Sequence, residues 1–539
     1  MKNTEASFVF LACLLLYLYA KQLTQGNNMN NIERLKALMS INAEMDTLQL
    51  EERFKQIAHM LFNDLAIQTV KGLYLFKEIE FYVYNKQHRD IITHPRSSKA
   101  LCWYINDFGG IDLNFDSRID LEKVESQKRY LLNDDSYFGG ILIRQLVSED
   151  GSETLDGPWA CAELFRCFDA LGINNVLPVL ISHKSTMTGY IQKERIRLIA
   201  NKKEIRDKVD NILLSYKRHP NKDLLYEDFA LFKEKPYRFI RCDALMHDYD
   251  TNEVYFSKWL GDEKEGHPKF YQLLLQILGK AGINAKELKS TSDYWARDYM
   301  PIQLGVDDFL KYRYYPDYLV NSKNPEDKYT ITNCTRVLQG LDIKCRSTAL
   351  IIDGGNMVPC GPYIVMTDKV FTENEFSKND ISFKSKLEKE LGHPVIIIPW
   401  TLHEEAGNDN VDKYGHSDGF IKWCGGNRIL MGNHAEFYPN EAEEIKRTLE
   451  AYGFVVTEIR FNDKVANPTT QYNWAYINFL QVGKTIVMPK FNIDEDDIAK
   501  DYIKTSFPDC DIYQIEMEDI VKEGGALHCI SWNIRRNLV

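Results

Sequence analysis

Pro394-Val-Ile-Ile-Ile-Pro399 sets four apolar residues between two prolines. A β-branched run this short, closed at both ends by residues that cannot continue a ladder, reads as a strand buried on both faces. Arg428-Ile-Leu-Met431 and Thr485-Ile-Val-Met488 have the same character. Between such runs the spacing turns helical: Phe270, Leu273, Leu274, Ile277 and Leu278 mark one face of a helix that Gly279 and Gly282 help to end. From about Ala244 onward, strand-like, helix-like and strand-like segments alternate, which is the pattern of an α/β fold. There is no strict sequence repeat, yet ββαβ-sized units divide residues 244–539 comfortably into five.

Upstream the texture differs. From Asn31 to roughly Leu75 apolar residues recur at helical spacing (Ile32, Leu35, Leu38; Phe54, Ile57, Met60, Leu61). Glu78-Ile-Glu-Phe-Tyr-Val-Tyr84 then alternates as a half-buried strand does. Leu101–Ile105, Gly110–Phe115 and Gly139–Arg144 follow as short strands, Gly157-Pro158 opens a helix expected to reach Leu171, and Gln192 to Arg218 reads as strand and then exposed helix. Residues 30–243 are therefore expected to form one α+β domain with a mainly β core, ahead of a second domain at 244–539.

The chain has 539 residues, more than one core usually serves, so at least two domains are expected. With 44% hydrophobic and 27% charged residues it can bury large cores and is not disordered as a whole. A formal charge of −12 argues against nucleic acid as the main partner and suits a cationic one. The eleven cysteines are scattered, without a Cys-x-x-Cys pair, so neither a disulfide framework nor a zinc site is indicated. Phe8–Ala20 is apolar but short for a membrane span. Residues 1–28 read as a signal or anchor segment or as a start assigned too early. A cytoplasmic location is favoured, with export or membrane attachment through residues 8–20 as the alternative. Homo-oligomerisation stays open.

Four segments of the second half put polar residues beside glycine or a strand end: Tyr294-Trp-Ala-Arg-Asp-Tyr-Met-Pro301, Ile352-Asp-Gly-Gly-Asn356, Gly415-His-Ser-Asp-Gly419 and Gly524-Gly-Ala-Leu-His-Cys529. Singly each has a plain structural explanation. A lone cysteine is usually a buried hydrophobe, Asp-Gly-Gly-Asn is by default a turn, and Arg297 with Asp298 could be a local ion pair. Together they make chemical sense. Asp298 and Asp418 are acceptor-only carboxylates, and a planar guanidinium offers donors along its edges that two carboxylates can hold. His416, two residues before Asp418, would share its face in an extended segment and could act as acid and base. Cys529 supplies a thiolate, a far better nucleophile than water towards a resonance-stabilised carbon.

The four motifs, in this order, resemble the agmatine deiminase and bacterial, Porphyromonas-type peptidylarginine deiminase family of the guanidine-modifying superfamily. The resemblance covers roughly residues 245–539. It implies a five-bladed α/β propeller (the pentein fold) and hydrolysis of a guanidine group on a small agmatine-like molecule through a covalent thiouronium on Cys529. It implies His416 as acid and base, Asp298 and Asp418 as clamps, Trp295 against the substrate stem and Asn478 lining the site. Asp353 and Asn356 would shape the site rather than act chemically. No metal and no cofactor are implied.

Peptidylarginine deiminases of this type hold a terminal carboxylate with arginines after the Arg-Asp motif. Here Lys311-Tyr-Arg-Tyr-Tyr-Pro-Asp-Tyr-Leu319 offers Lys311 and Arg313, in an unclear register. An amine-tailed substrate would instead need acids such as Asp317, Glu404, Glu405 or Asp409. A peptidyl-arginine substrate, or an amidinotransferase, is the alternative within the superfamily. In the first half, Phe138-Gly-Gly-Ile-Leu-Ile-Arg-Gln145 with Asp156-Gly-Pro158 faintly resembles alkyladenine-type DNA glycosylases, which would imply a β-rich fold and binding of nucleic acid or damaged bases. A scaffold or interaction role is preferred there, because charges in this half are nearly balanced.

Overall fold

A computed structural model of the chain describes residues 30–106, 109–124, 129–165, 177–184, 188–196, 198, 222–242, 244–401, 414–465, 468 and 472–536. The apolar run 8–20, the helix expected beyond 165, most of 192–218, and Glu404, Glu405 and Asp409 lie outside the described residues. The chain divides into two compact units, one of residues 1–185 and 192–241, the other of 186–191 and 242–539. Among the described residues no helix is long and apolar enough to cross a membrane.

In the first unit, Asn30 caps helix Asn31–Leu38, and a capping box between Asp46 and Gln49 starts helix Thr47–Asn63. The second helix buries Leu50, Phe54, Ile57 and Leu61. The helical spacing read to Leu75 in fact ends at Asn63, and Leu65–Thr69 and Gly72–Tyr84 form an antiparallel hairpin. Both faces of this hairpin are apolar enough to mimic a helical stripe. Gly72, at φ +138°, makes the turn, which a side chain would strain. The long strand Gly72–Tyr84 pairs with Phe138–Ser148 and Arg238–Cys242 inside a nine-stranded sheet. Its polar interior is answered in pairs: Arg195 meets Asp90 at 2.6 Å and Arg144 meets Glu80 at 2.7 Å.

The second unit holds five three-stranded sheets built on one plan. The middle strands are Glu253–Ser257, Asp308–Arg313, Tyr363–Thr367, Arg428–Met431 and Thr485–Lys490. Each pairs antiparallel with one neighbour and parallel with the other. A parallel neighbour demands a crossover, and a helix supplies it each time: Pro268–Lys280, Cys334–Leu338, Ile381–Leu391, Pro439–Ala451 and Glu495–Ser506. The first helix runs through Gly279 to Lys280, and Gly282 at φ +73° follows it. The first sheet takes its antiparallel strand from the far end of the chain, Ser531–Ile534 on Glu253–Phe256. This pairing brings the segment after Gly524 back to the start of the unit.

Burial explains the apolar runs. Tyr363–Thr367 is buried at every residue, and Leu430, Ile396 and Ile486 are fully enclosed. Replacing Leu430 with alanine is expected to cost about 2–5 kcal/mol through lost transfer energy and a residual cavity. Ile381→Ala, at a side chain 82% exposed, should stay within about 0.5 kcal/mol. Urea unfolding followed by hydrogen exchange at the two sites measures both. Equal costs would contradict the burial described.

Candidate active site

Each of the polar motifs occupies the same place in its unit, the short turn that leads into the antiparallel strand. The turns are Ala296–Tyr299 before Ile302, Gly354–Asn356 before Val358, Ser417–Gly419 before Ile421 and Asn473–Ile477 before Leu480. The Gly524–Cys529 segment precedes Ser531 in the same way. Repetition of structure without repetition of sequence therefore delivers five turns, each free to carry a different side chain.

The turns meet around Gly355. Its backbone N–H donates to Asp298 Oδ1 at 3.0 Å. A Cβ placed there would lie 2.7 Å from His416 Nδ1, 2.8 Å from Asp298 Oδ1 and 3.2 Å from Asp418 Oδ1. Only glycine leaves that point open, so three sequence-read residues converge on one spot. His416 Nδ1 faces Asp298 Oδ1 at 3.5 Å, and its Nε2 meets Asp353 Oδ2 at 3.0 Å. The expectation that His416 and Asp418 share one face of an extended segment is wrong in its geometry. His416 caps a 3₁₀ turn that carries Asp418. The turn still aims both at Gly355.

Cys529 stands beside this cluster. Its Sγ lies 3.2 Å from Asn478 Oδ1 and 3.9 Å from Asp418 Oδ2, and its backbone N–H donates to Asn478 Oδ1 at 3.2 Å. Asn478 also donates to the Asp418 carbonyl at 3.3 Å, which fixes its amide. Asn356 does not face the cluster with its oxygen. That oxygen accepts from the Thr367 and Ser417 backbones and so ties two turns together. Trp295 packs on Gly525, where a Cβ would come within 2.3 Å of its ring. Tyr414 crowds Gly524 in the same way, and Tyr318 stacks edge-on to Tyr414 at 5.0 Å, with both rings about equally near His416. An aromatic group thus borders the carboxylates.

Several partners were not legible in the motifs. Lys369 is almost wholly buried and reaches Asp353 at 2.9 Å, Glu373 at 2.6 Å and Asp317 at 3.1 Å. Asp317 is therefore spent on a lysine instead of standing free for an amine. His528 Nδ1 lies 2.6 Å from Asp418 Oδ2. Arg297 makes no local pair with Asp298. It turns to Asn533 Oδ1 and the His528 carbonyl. Lys311 donates to Thr335, and Arg313 lies over the Tyr315 ring. No group of three or more metal-binding side chains occurs among the described residues.

The electrostatics separate the carboxylates. Burial lifts Asp298 to about 6, against the pull of His416 and with the help of Asp353 and Asp418. Burial would lower His416, but Asp298 and the Asp353 bond override it and lift the imidazole to about 9. Burial also acts on Asp353, yet Lys369 and His416 hold it well below the carboxylate range. For Asp418 the burial penalty is outweighed by the bond from His528. The Cys529 thiol is pushed well up, first by burial and then by Asp418 and Asp298. The site is thus an acidic pocket beside a protonated imidazole and a thiol that resists ionisation.

Residues 266–534 match the family model described as Porphyromonas-type peptidyl-arginine deiminase. An agmatine deiminase of Pseudomonas savastanoi pv. phaseolicola is 29% identical over 215 residues, which is 34% of this chain and 56% of that protein. The match therefore spans little more than half of that relative's length. Among solved structures, the chain is similar to C. jejuni agmatine deiminase, at 16% identity and TM-score 0.43, over 55% of this chain and 97% of that one. Agmatine deiminase of Enterococcus faecalis stands at 15% identity and TM-score 0.42, over 55% and 96%.

Asp353→Asn removes one of the carboxylates that hold the His416 proton. The imidazole should then titrate at least roughly one unit below about 9, each unit being worth about 1.4 kcal/mol. Histidine-selective NMR titration of the full chain checks this. An unmoved midpoint would remove Asp353 from the account of His416.

Proposed function

Because residues 266–534 belong to the Porphyromonas-type peptidyl-arginine deiminase family, we propose that this site hydrolyses the guanidine group of a small, agmatine-like cation to a ureido product and ammonia. One observation carries the reading. Asp418 Oδ1 is buried without a hydrogen-bond partner and converges with Asp298 Oδ1 on the open point at Gly355. A buried acceptor left unpaired is costly, and a guanidinium answers it while also reaching Asp298 with a delocalised charge.

In this reading Asp298 and Asp418 hold the guanidinium beside Cys529. The bound cation offsets the two carboxylates that raise the thiol, so ionisation of Cys529, whose proton passes to solvent, is coupled to substrate binding. The thiolate attacks the guanidinium carbon, the C–N bond breaks, and ammonia leaves with the proton of His416. The neutral imidazole then takes a proton from water, whose oxygen attacks the thiouronium carbon and releases the thiolate. Asp353, contrary to a purely shaping role, keeps His416 protonated for the first half, and Lys369 keeps Asp353 ionised. Asn478 positions the cysteine, and Trp295, Tyr318 and Tyr414 border the substrate stem. Five sheets of one plan support a five-bladed propeller over 244–539, with the turns at its axis. Lys311 and Arg313 are engaged elsewhere, which favours a small cation over a peptide carboxylate.

The pH dependence follows in sign. Below about 6 Asp298 is protonated and cannot clamp a cation; above about 9 His416 has lost the proton that ammonia needs. The value of kcat/KM should therefore rise through the first and fall through the second. The assay offers the full chain agmatine, free arginine and a peptide ending in arginine, and follows ammonia and ureido product. Agmatine should turn over best with that pH profile, and Cys529→Ser should abolish it. No turnover of any substrate, with Cys529→Ser indistinguishable from the native chain, contradicts the proposal.

A further inference from the structure

On the far side of His528 from Asp418 lies a cavity of about 350 Å³, lined by residues of the second unit. Neither Asp298, His416, Asp418 nor Cys529 lines it, whereas His528 does. The imidazole is thus a shared wall, with one nitrogen on Asp418 at 2.6 Å and the other facing Asp248 Oδ2 at 3.5 Å. Asp248 is itself fully engaged. Its Oδ2 accepts from Lys422 at 2.9 Å and its Oδ1 from Asn533 at 2.8 Å.

The charge character is opposite to that of the acidic site. Arg297, Lys422 and Arg428 all line the cavity. Lys422 is answered by Asp248, but Arg297 and Arg428 bond only neutral acceptors, namely Asn533 Oδ1, the His528 carbonyl and the Cys424 carbonyl. Neither guanidinium has an ion-pair partner among the described residues. Arg428 stands at the exposed rim, as does Asp509, the other carboxylate on the lining. His247 also lines it. Its side chain is nearly wholly buried, its ring stacks on Trp423 at 3.8 Å, and its Nε2 has no hydrogen-bond partner. A buried imidazole nitrogen left unpaired is the mark of a missing partner. Much of the remaining wall is apolar, with Met246, Met300, Met357 and Phe507.

We propose that this cavity is a second binding site, for a small organic anion: a carboxylate on an apolar body, its head taken by the unpaired guanidiniums and His247. Bidentate guanidinium–carboxylate bonds supply the polar recognition, and the methionine and phenylalanine walls bury the body. The site shares His528 with Asp418, so an anion bound there acts on the wall that positions the catalytic carboxylate. Binding itself does not depend on the hydrolysis proposed above, and a test with the nucleophile removed keeps the two claims apart.

The test is calorimetry on the full chain carrying Cys529→Ser. The probes are phenylacetate, 2-phenylethanol as its neutral counterpart, and inorganic phosphate as a head group without a body. Phenylacetate should bind saturably at one site per chain, and the other two should not. Arg428→Gln should weaken it roughly tenfold, the scale of one charge-assisted hydrogen bond. His247→Phe, which keeps the stack on Trp423, should weaken it as well, with circular dichroism showing both variants folded. The proposal is overturned if phenylacetate gives no saturable heat, if the alcohol or phosphate binds as tightly, or if both folded variants bind like the parent.

Discussion

The hydrogen bond from the Gly355 amide to Asp298, with no side chain to fill the space beside it, is the constraint on which the second unit turns. Asp298, Asp418 and His416 approach that one glycine from three different turns. Bringing carboxylates this close without water is unfavourable, because burial and mutual repulsion both disfavour ionisation. The rest of the unit supplies what tolerates it. Lys369 and Asp353 stand behind the imidazole, His528 and Asp248 stand behind Asp418, and Asn356 braces the turns between. Five sheets of one plan make this feasible, since each contributes a single turn and none has to carry the whole arrangement.

The two ends of the cluster are held by different means. At one end His416 sits between two carboxylates and keeps its proton to about 9. At the other end Asp418 is bonded by His528 on one oxygen and left unpaired on the other. The asymmetry gives each group one task. The imidazole holds its proton at neutral pH, and the other carboxylate oxygen is a buried acceptor without a partner. Cys529 lies beside Asp418, and burial with the two carboxylates holds its thiol protonated.

Much of this was legible in the sequence because it is written locally. Val395–Ile398 and Arg428–Met431 are strands buried on a sheet, and an apolar run says so directly. The four motifs named Asp298, His416, Asp418 and Cys529, all of which meet in space. What was not legible depends on partners distant in the chain. Lys369 lies in none of the motifs, and only the fold shows it buried on Asp353. Asp248 likewise lies outside the motifs, and only the fold brings Lys422 and Asn533 onto it. The misread stretch before Leu75 failed for a different reason. A hairpin apolar on both faces can imitate helical spacing, and its tight turn at Gly72 is carried by one backbone angle.

In the proposed reaction Cys529 forms a bond to a guanidinium carbon held by Asp298 and Asp418. Quenching the full chain with acid during turnover of agmatine and weighing its peptides makes that bond visible. The peptide containing Cys529 should carry an added mass equal to agmatine less ammonia, and Cys529→Ser should carry none. Product formed with no adduct on that peptide, or an adduct on another cysteine, would contradict it.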